Sequence, residues 1–138
     1  MFILIIGCGR TGSKLAGILS KKQHDIVILD KDSKKFRKLS VEFSGFKIEG
    51  DALEYDVLLK SKIKEVDLLI ITTGNDQINY FLSQLALKQF EIDNIFVRIK
   101  DPAKNKMFVN KSIKVINPLD LLTERIMEEI YERGKNAN

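Results

Sequence analysis

The stretch Phe2-Ile3-Leu4-Ile5-Ile6-Gly7-Cys8-Gly9-Arg10-Thr11-Gly12 constrains this chain more than any other. An apolar run stops at a glycine, and two more glycines follow in the spacing G-x-G-x-x-G. An amphipathic segment comes next, and a second apolar run ends in Asp30. The order is strand, glycine turn, helix, strand, acid. The glycine spacing alone is a weak pattern, but in this order each piece serves one site. Gly7 lets the chain leave the strand in a tight turn. Gly9 leaves the backbone bare, so a pyrophosphate can approach it. Gly12 lets the following helix pack closely on the strand. The free N–H groups and the dipole of that helix then face the phosphates. Asp30 falls 18 residues beyond Gly12, where its carboxylate can accept hydrogen bonds from ribose hydroxyls. The alternative is a tight turn that binds nothing, and the placement of the acid weighs against it.

A chain of 138 residues is expected to form one domain with a full core. A hydrophobic fraction of 44% beside 30% charged residues is that of a water-soluble globular protein. The net charge of +4 is mild. Lys31, Lys34, Lys35 and Lys38 read as a solvated surface, and no basic stripe interleaved with aromatics points to nucleic acid. The single cysteine excludes an internal disulfide and fits a reducing compartment. No apolar run approaches the roughly 20 residues that span a bilayer. The N-terminal run is too short for a signal peptide and has no basic region before it. The expected location is the cytoplasm, with any action at a membrane depending on a partner.

The rest of the chain alternates strands and helices. Strands are expected at Phe2–Ile6, Asp25–Asp30, Phe46–Glu49, Asp67–Thr72, Asn94–Lys100 and Ile113–Ile116. The first helix should run from about Thr11 to Lys22 with Leu15, Ile18 and Leu19 inward. Asp32 or Ser33 should cap a second helix that buries Phe36, Leu39 and Phe43. Asp51 with Glu54 resembles a capping box for a third. After Thr73-Gly74-Asn75-Asp76, a fourth helix has Ile78, Phe81, Leu82, Leu85 and Ala86 on one side. Asp101-Pro102 opens a short helix. This alternation implies an α/β fold, a doubly wound parallel six-stranded sheet with right-handed crossovers and order 3-2-1-4-5-6. The functional loops then follow strands one to four. The last segment opens at Asn117-Pro118 and is expected to stop at Arg133-Gly134. Its apolar residues Leu119, Leu122, Ile126, Met127, Ile130 and Tyr131 cover close to half the helix circumference. One reading is a well-buried final helix; the other packs one side at home and the other on a second copy, making a homodimer. Residues 1–116 are thus expected to be the binding domain, and 117–138 a dimerisation helix and tail.

Several residues keep two readings. Asp51 can cap a helix and also sit beside a bound adenine. Asn75 and Asp76 can be turn formers, whereas Asn79 is less easily explained that way. In strand five Ile95, Val97 and Ile99 share one face, so Arg98 points with Phe96 to the other. A buried arginine needs an anionic partner: an internal acid, a phosphate or a neighbouring subunit. Arg10 is either simply exposed or reaches a terminal phosphate or partner chain. Cys8 is either a small residue in a tight place or a thiol made redox-sensitive by a helix N-terminus. The only histidine, His24, falls away from the crevice. No cysteine pair or metal-ligand cluster accompanies the nucleotide motif.

Taken together, Ile6-Gly7-Cys8-Gly9-Arg10-Thr11-Gly12 resembles the I-G-x-G-R-x-G opening of the nucleotide-binding domain of Trk/Ktr-type potassium-uptake regulators, also called TrkA-N or RCK domains. Asp30 with Lys31-Asp32 looks like the end of their second strand, and Gly50-Asp51-Ala52 is similar to their G-D-A motif. Thr73-Gly74-Asn75-Asp76-x-x-Asn79 looks like their loop after strand four, and Val97-Arg98 like their fifth strand. The resemblance covers nearly the whole chain and implies a Rossmann-like regulatory module that is not an enzyme. Such domains bind NAD(H) or ATP/ADP, dimerise through the last, crossover helix, and assemble as rings on the cytoplasmic face of a potassium channel or transporter. Carried over, Gly7, Gly9, Arg10, Thr11 and Gly12 would hold phosphates. Asp30 with Lys31 would take the ribose, and Asp51 and Ala52 would flank the adenine. Thr73, Gly74, Asn75 and Arg98 would lie near the rest of the nucleotide. NAD(H) is preferred over NADP(H), because Asp30 would repel a 2′-phosphate; ATP, ADP or AMP are the other candidates. Leu119 stands where some ATP-binding members have an acid, which argues against ATP recognition by that route. The sequence ends just after the crossover helix, without the second, C-terminal domain often found in the family. The competing functions are a small NAD-dependent oxidoreductase and an NAD-binding redox-sensing domain.

Overall fold

Apolar runs with both faces to cover build the centre of the molecule. In the computed structural model, which describes residues 1–136, six parallel strands form one sheet. They are β1 (Phe2–Ile6), β2 (Asp25–Asp30), β3 (Phe46–Glu49), β4 (Leu68–Ile71), β5 (Ile95–Arg98) and β6 (Ile113–Ile116). The order is β3-β2-β1-β4-β5-β6, as the glycine motif and the alternation require. At the centre, Leu4 pairs with Val27 on one side and Leu69 on the other. The helices are α1 (Arg10–Lys21), α2 (Tyr55–Lys60), α3 (Asp76–Lys88) and α4 (Pro118–Asn136). Ala137 and Asn138, the end of the expected tail, lie outside the described residues.

The alternation along β1 sends Ile3 and Ile5 to the layer shared with Ala16, Leu15 and Leu19 of α1. Leu4 and Ile6 go to the opposite layer, with Leu58 of α2 and Leu82 and Ala86 of α3. The crossovers therefore cover both faces at the middle of the sheet, which is why the central strands are apolar throughout.

The helix faces differ from expectation in two places. The buried face of α1 is Gly12, Ser13, Ala16, Gly17 and Ser20. Leu15 and Leu19 flank that face, and Ile18, expected inward, is 44% exposed. Small side chains let the helix axis come close to the sheet, so the larger ones are pushed to its rim. On α3, Leu82 and Ala86 are buried, but Phe81 is turned out.

The expected second helix is a short 3-10 segment, Ser33–Lys38, capped by Asp32 accepting from the Lys34 N–H at 3.0 Å. Lys34, Lys35, Arg37 and Lys38 crowd like charges at three- and four-residue spacing, which disfavours an α-helix too short to sustain itself. Phe36, Leu39 and Phe43 still pack against the α1 layer. The capping box at Asp51 and Glu54 does not form. Asp51 instead accepts from the Leu53 N–H at 2.9 Å, and α2 begins later, at Tyr55.

Helix α4 departs most. None of its residues is buried, and Leu119, Leu122, Ile126, Met127, Ile130 and Tyr131 are all exposed. The helix leaves the domain at Asn117, whose side chain is buried, donates to the Ile99 carbonyl at 2.8 Å and caps the Asp120 N–H at 3.0 Å. Neither a buried final helix nor one packed on a single side at home is what the fold contains. Gly134 does not stop the helix either, which runs on to Asn136. A glycine ends a helix by turning left-handed, and Gly134 does not adopt positive φ.

Candidate functional site

The carboxyl ends of β1, β2 and β4 open into a crevice where the strand order reverses, the place where doubly wound sheets bind ligands. Its cavity of about 460 Å³ lies within the range of small-molecule sites.

The glycine turn forms its floor. Gly7 has φ +105°, and a Cβ there would meet the Thr72 backbone at 2.9 Å, so both conformation and space demand glycine. A side chain at Gly12 would run into the Gly7 carbonyl, so this residue serves helix packing and does not line the cavity. Gly9 differs from both. Its φ is −80° and nothing lies within 4 Å of where its Cβ would be. The fold places no demand for glycine there, and Gly9 lines the cavity. No side chain caps the start of α1. Its first N–H groups, which have no intrahelical acceptor, are therefore left for solvent or a ligand.

Asp30 is 8% exposed, and its carboxylate holds the loop it faces. Oδ2 accepts from the Cys8 N–H at 2.8 Å and Oδ1 from the Asp32 N–H at 2.9 Å. Each oxygen keeps a second lone pair, so ribose hydroxyls remain compatible with both bonds. Lys35 Nζ stands 3.9 Å from Oδ2 and lines the cavity with Lys31. Both lysines are exposed, as a solvated surface requires, and both also border the crevice, Lys31 as expected and Lys35 in addition. Burial and the Asp30 carboxylate push the Cys8 thiol up, against the opposing pull of Lys38, Lys35 and Lys47. Cys8 is 0% exposed. It is a small buried residue rather than an activated thiol.

Asp51 and Ala52 line the far wall after β3. Thr73, Gly74 and Asn75 line the opposite one, where Asn75 caps α3 by accepting from the Ile78 N–H at 3.0 Å. Asn79 is fully buried and ties strand ends together: its amide donates to the carbonyls of Thr73 at 3.0 Å and Arg98 at 2.8 Å. Asp76 accepts from the backbone N–H groups of Lys100 at 2.8 Å and Asp101 at 3.0 Å. Burial alone would raise its pKa, but those two N–H groups and the nearby Lys104 ammonium outweigh it and hold the carboxyl below its usual value.

Among the described residues Arg98 has no acid as partner. One guanidinium nitrogen donates to the carbonyls of Thr72 at 3.1 Å and Thr73 at 2.8 Å, and the other reaches Thr11 Oγ1 at 3.4 Å. Thr11 thus touches Arg98 and does not line the cavity, whereas Arg10, Arg98 and Gly74 do. The chain reading missed Lys100 and Thr72. Lys100 sits just past β5 and Thr72 just past β4, positions whose convergence is legible only once strand order is fixed.

Fold and crevice together define a Rossmann-like domain with an open cavity at its switch point. A profile of the TrkA-N domain matches residues 3–118, and the chain belongs to that family. It is 33% identical over 140 residues to the Trk system potassium uptake protein TrkA homolog of Pyrococcus abyssi, covering 97% of this chain and 62% of that protein. Among solved structures, the GsuK channel bound to NAD matches with a TM-score of 0.76 at 22% identity, over 99% of this chain and 24% of that one. The Shewanella denitrificans Kef CTD in AMP-bound form matches with a TM-score of 0.73 at 21% identity, over 99% of this chain and 94% of that one. The chain spans 60% to 62% of the length of the first curated relatives it matches.

Proposed function

We propose that this chain is the nucleotide-binding module of a regulator of potassium uptake. It binds NAD(H) or an adenine nucleotide in the crevice and passes the state of that site to a membrane channel or transporter. The observation that carries the reading is Gly9, a glycine that neither conformation nor packing explains, facing the cavity between an uncapped helix start and Asp30. A pyrophosphate against that bare backbone is the occupant such a position accommodates. Curated relatives that are Trk system potassium uptake proteins supply the transport context, and the NAD and AMP of two structural neighbours supply the ligand class.

In this reading Gly7, Gly9 and Arg10 hold phosphates, with Thr11 and Gly12 supporting them. Asp30 and Lys31 take the ribose, Asp51 and Ala52 flank the adenine, and Thr73, Gly74, Asn75 and Arg98 border the remainder. Residues 1–116 form the binding unit. Residues 117–138 carry α4, whose unburied apolar stripe supports a homodimer, and through it a larger ring beside the membrane partner. Among the described residues no helix is long and apolar enough to cross a membrane and no side-chain cluster fits a metal ion. The proposed seat is the cytoplasmic face of the partner, and the proposed role is regulatory rather than catalytic. Ligand can drive such a regulator only by binding one arrangement of the dimer better than another.

Calorimetric titration of the chain with NADH, NAD, ATP, ADP and AMP tests the site. Micromolar binding of at least one of them should be lost in Gly9→Val, which fills the phosphate space and leaves the fold intact. A Gly9→Val variant that binds like the parent refutes the reading.

A further inference from the structure

The net charge of the chain is concentrated in one stretch. Residues 31–38 hold five of the 23 lysines and arginines, Lys31, Lys34, Lys35, Arg37 and Lys38, but only one of the 19 acids, Asp32. Elsewhere 18 cations face 18 acids, so the whole +4 resides here. The 3-10 geometry of Ser33–Lys38 decides where these charges point. With three residues per turn, side chains three apart stand one above the other. Phe36 and Leu39 form the line that packs against the α1 layer. The other two lines are Lys34 with Arg37 and Lys35 with Lys38, and all four are exposed. Both outward lines thus carry like charges in register, an arrangement that repels itself. Lys35 meets Asp30 at 3.9 Å, but among the described residues Lys31, Lys34, Arg37 and Lys38 have no carboxylate within ion-pair distance. Asp32 is turned to the backbone, where it accepts from the Lys34 N–H. Lys38, Lys35 and Lys47 all bear on the Cys8 thiol, so Lys47 of the edge strand β3 extends the same surface. Val41, three residues past Lys38, is 100% exposed and touches nothing at home.

A surface that faces only water mixes both signs. This one holds a single sign at spacings that oppose it, beside an apolar side chain with no contact. An anionic lipid bilayer answers both features: phosphate headgroups neutralise the cations, and the layer beneath them takes the valine. We propose that Lys34, Arg37, Lys38 and Lys47, together with Val41, form a docking face for the anionic surface of a membrane, so that this chain touches lipid directly. Fluid headgroups suit the face, because Lys34, Arg37 and Lys38 are exposed and line no part of the crevice, and nothing there fixes the register of a folded partner. A nucleic acid or an acidic protein would match the charge but offers no apolar layer for Val41. The inference does not depend on what occupies the crevice.

The test is cosedimentation of the 138-residue chain with vesicles of equal parts phosphatidylglycerol and phosphatidylcholine, and with vesicles of phosphatidylcholine alone. Binding is expected to the first and not to the second, and it should weaken as salt is raised. Each cation at such a surface contributes about a fivefold factor, so the triple variant Lys34→Gln, Arg37→Gln, Lys38→Gln should partition about a hundredfold less. Circular dichroism checks its fold, and Arg37→Gln alone, expected at about fivefold, carries the test should the triple variant unfold. Lys38→Arg keeps the charge and should bind like the parent. The chain has no tryptophan, so Val41→Trp supplies a single fluorophore. Its emission should shift to the blue with the anionic vesicles and stay unshifted when the three glutamine substitutions are added. Equal sedimentation with both vesicle types, loss of charge without loss of binding, or an unshifted emission in Val41→Trp overturns the inference. A parent that ignores both vesicles overturns it too, and retention on heparin in that case assigns the face to a soluble polyanion.

Discussion

Replacing Asp30 with alanine removes two things at once, and the structure separates them. The first is the acceptor for the Cys8 N–H, at 2.8 Å in a buried setting, and for the Asp32 N–H at 2.9 Å. Water can reach the second donor, since Asp32 is exposed, but not the first, since Cys8 is 0% exposed. A buried donor left unmatched destabilises by about 1–3 kcal/mol, so the variant should lose about 2 kcal/mol of folding stability without any ligand present. The Lys35 contact adds little to this, because at 3.9 Å with a side chain 45% exposed it is a screened ion pair. The second loss is the ribose contact. A hydrogen bond to a charged acceptor is worth about 1.5–3 kcal/mol, so AMP or NADH affinity should fall by about ten- to a hundredfold. Urea unfolding followed by circular dichroism reads the first effect, and calorimetric titration at a temperature where the variant is folded reads the second. An unfolding midpoint equal to the parent's would refute the claim that Asp30 holds the glycine loop. Unchanged affinity would refute its role towards ribose.

Three further perturbations bear on other parts of the argument. Gly7→Ala should destabilise by about 2 kcal/mol or more in the same urea assay, because φ +105° and the Thr72 backbone at 2.9 Å both oppose a side chain; a variant as stable as the parent would contradict the described turn. Asp76→Asn should lower stability at neutral pH, and the deficit should shrink with acidity. The carboxyl is depressed in the folded state, so its contribution is fully present above the unfolded value of 3.8 and is lost as pH falls through the lower, folded value. A parent–variant difference that stays constant through that acid range would argue against the clamp on Lys100 and Asp101. Ile126→Glu, in the middle of the exposed stripe of α4, should convert a dimer to a monomer by light scattering at micromolar concentration; a monomeric parent would remove α4 as the dimer contact.

Much of the site was legible because its signals are local. The turn at Gly7 follows from a glycine at the end of an apolar run, and the position of Asp30 from a strand of ordinary length after a helix of ordinary length. Asn75 and Asp32 announce themselves as caps. What escaped the sequence was mostly a matter of partners. Arg98 calls for an anionic partner, of which an internal acid is one candidate, and meets instead the carbonyls of Thr72 and Thr73, which only the pairing of β4 with β5 brings beside it. Lys35 sits in a run of lysines that looks like solvated surface, and only the path of the 3-10 segment brings it to Asp30. The amphipathic pattern of α1 misassigned Ile18, because periodicity marks a face without saying which side chains are small enough to touch the sheet.

The sequence by itself determined the parallel sheet, its order and the location of the crevice. Strand period, continuous apolar runs and glycine turns are short-range properties, and right-handed crossovers leave few ways to connect them. The tertiary structure alone decided that Asp30 grips the backbone of the loop it was expected only to face. It also decided that Arg98 and Lys100 border the crevice without a carboxylate partner among the described residues, and that α4 stands clear of the sheet with its apolar stripe uncovered. Each of these depends on groups far apart in the chain meeting, or failing to meet. Hydrogen bonding and charge pairing at such separations follow from where the strands place the groups, and no local pattern of residues encodes that placement.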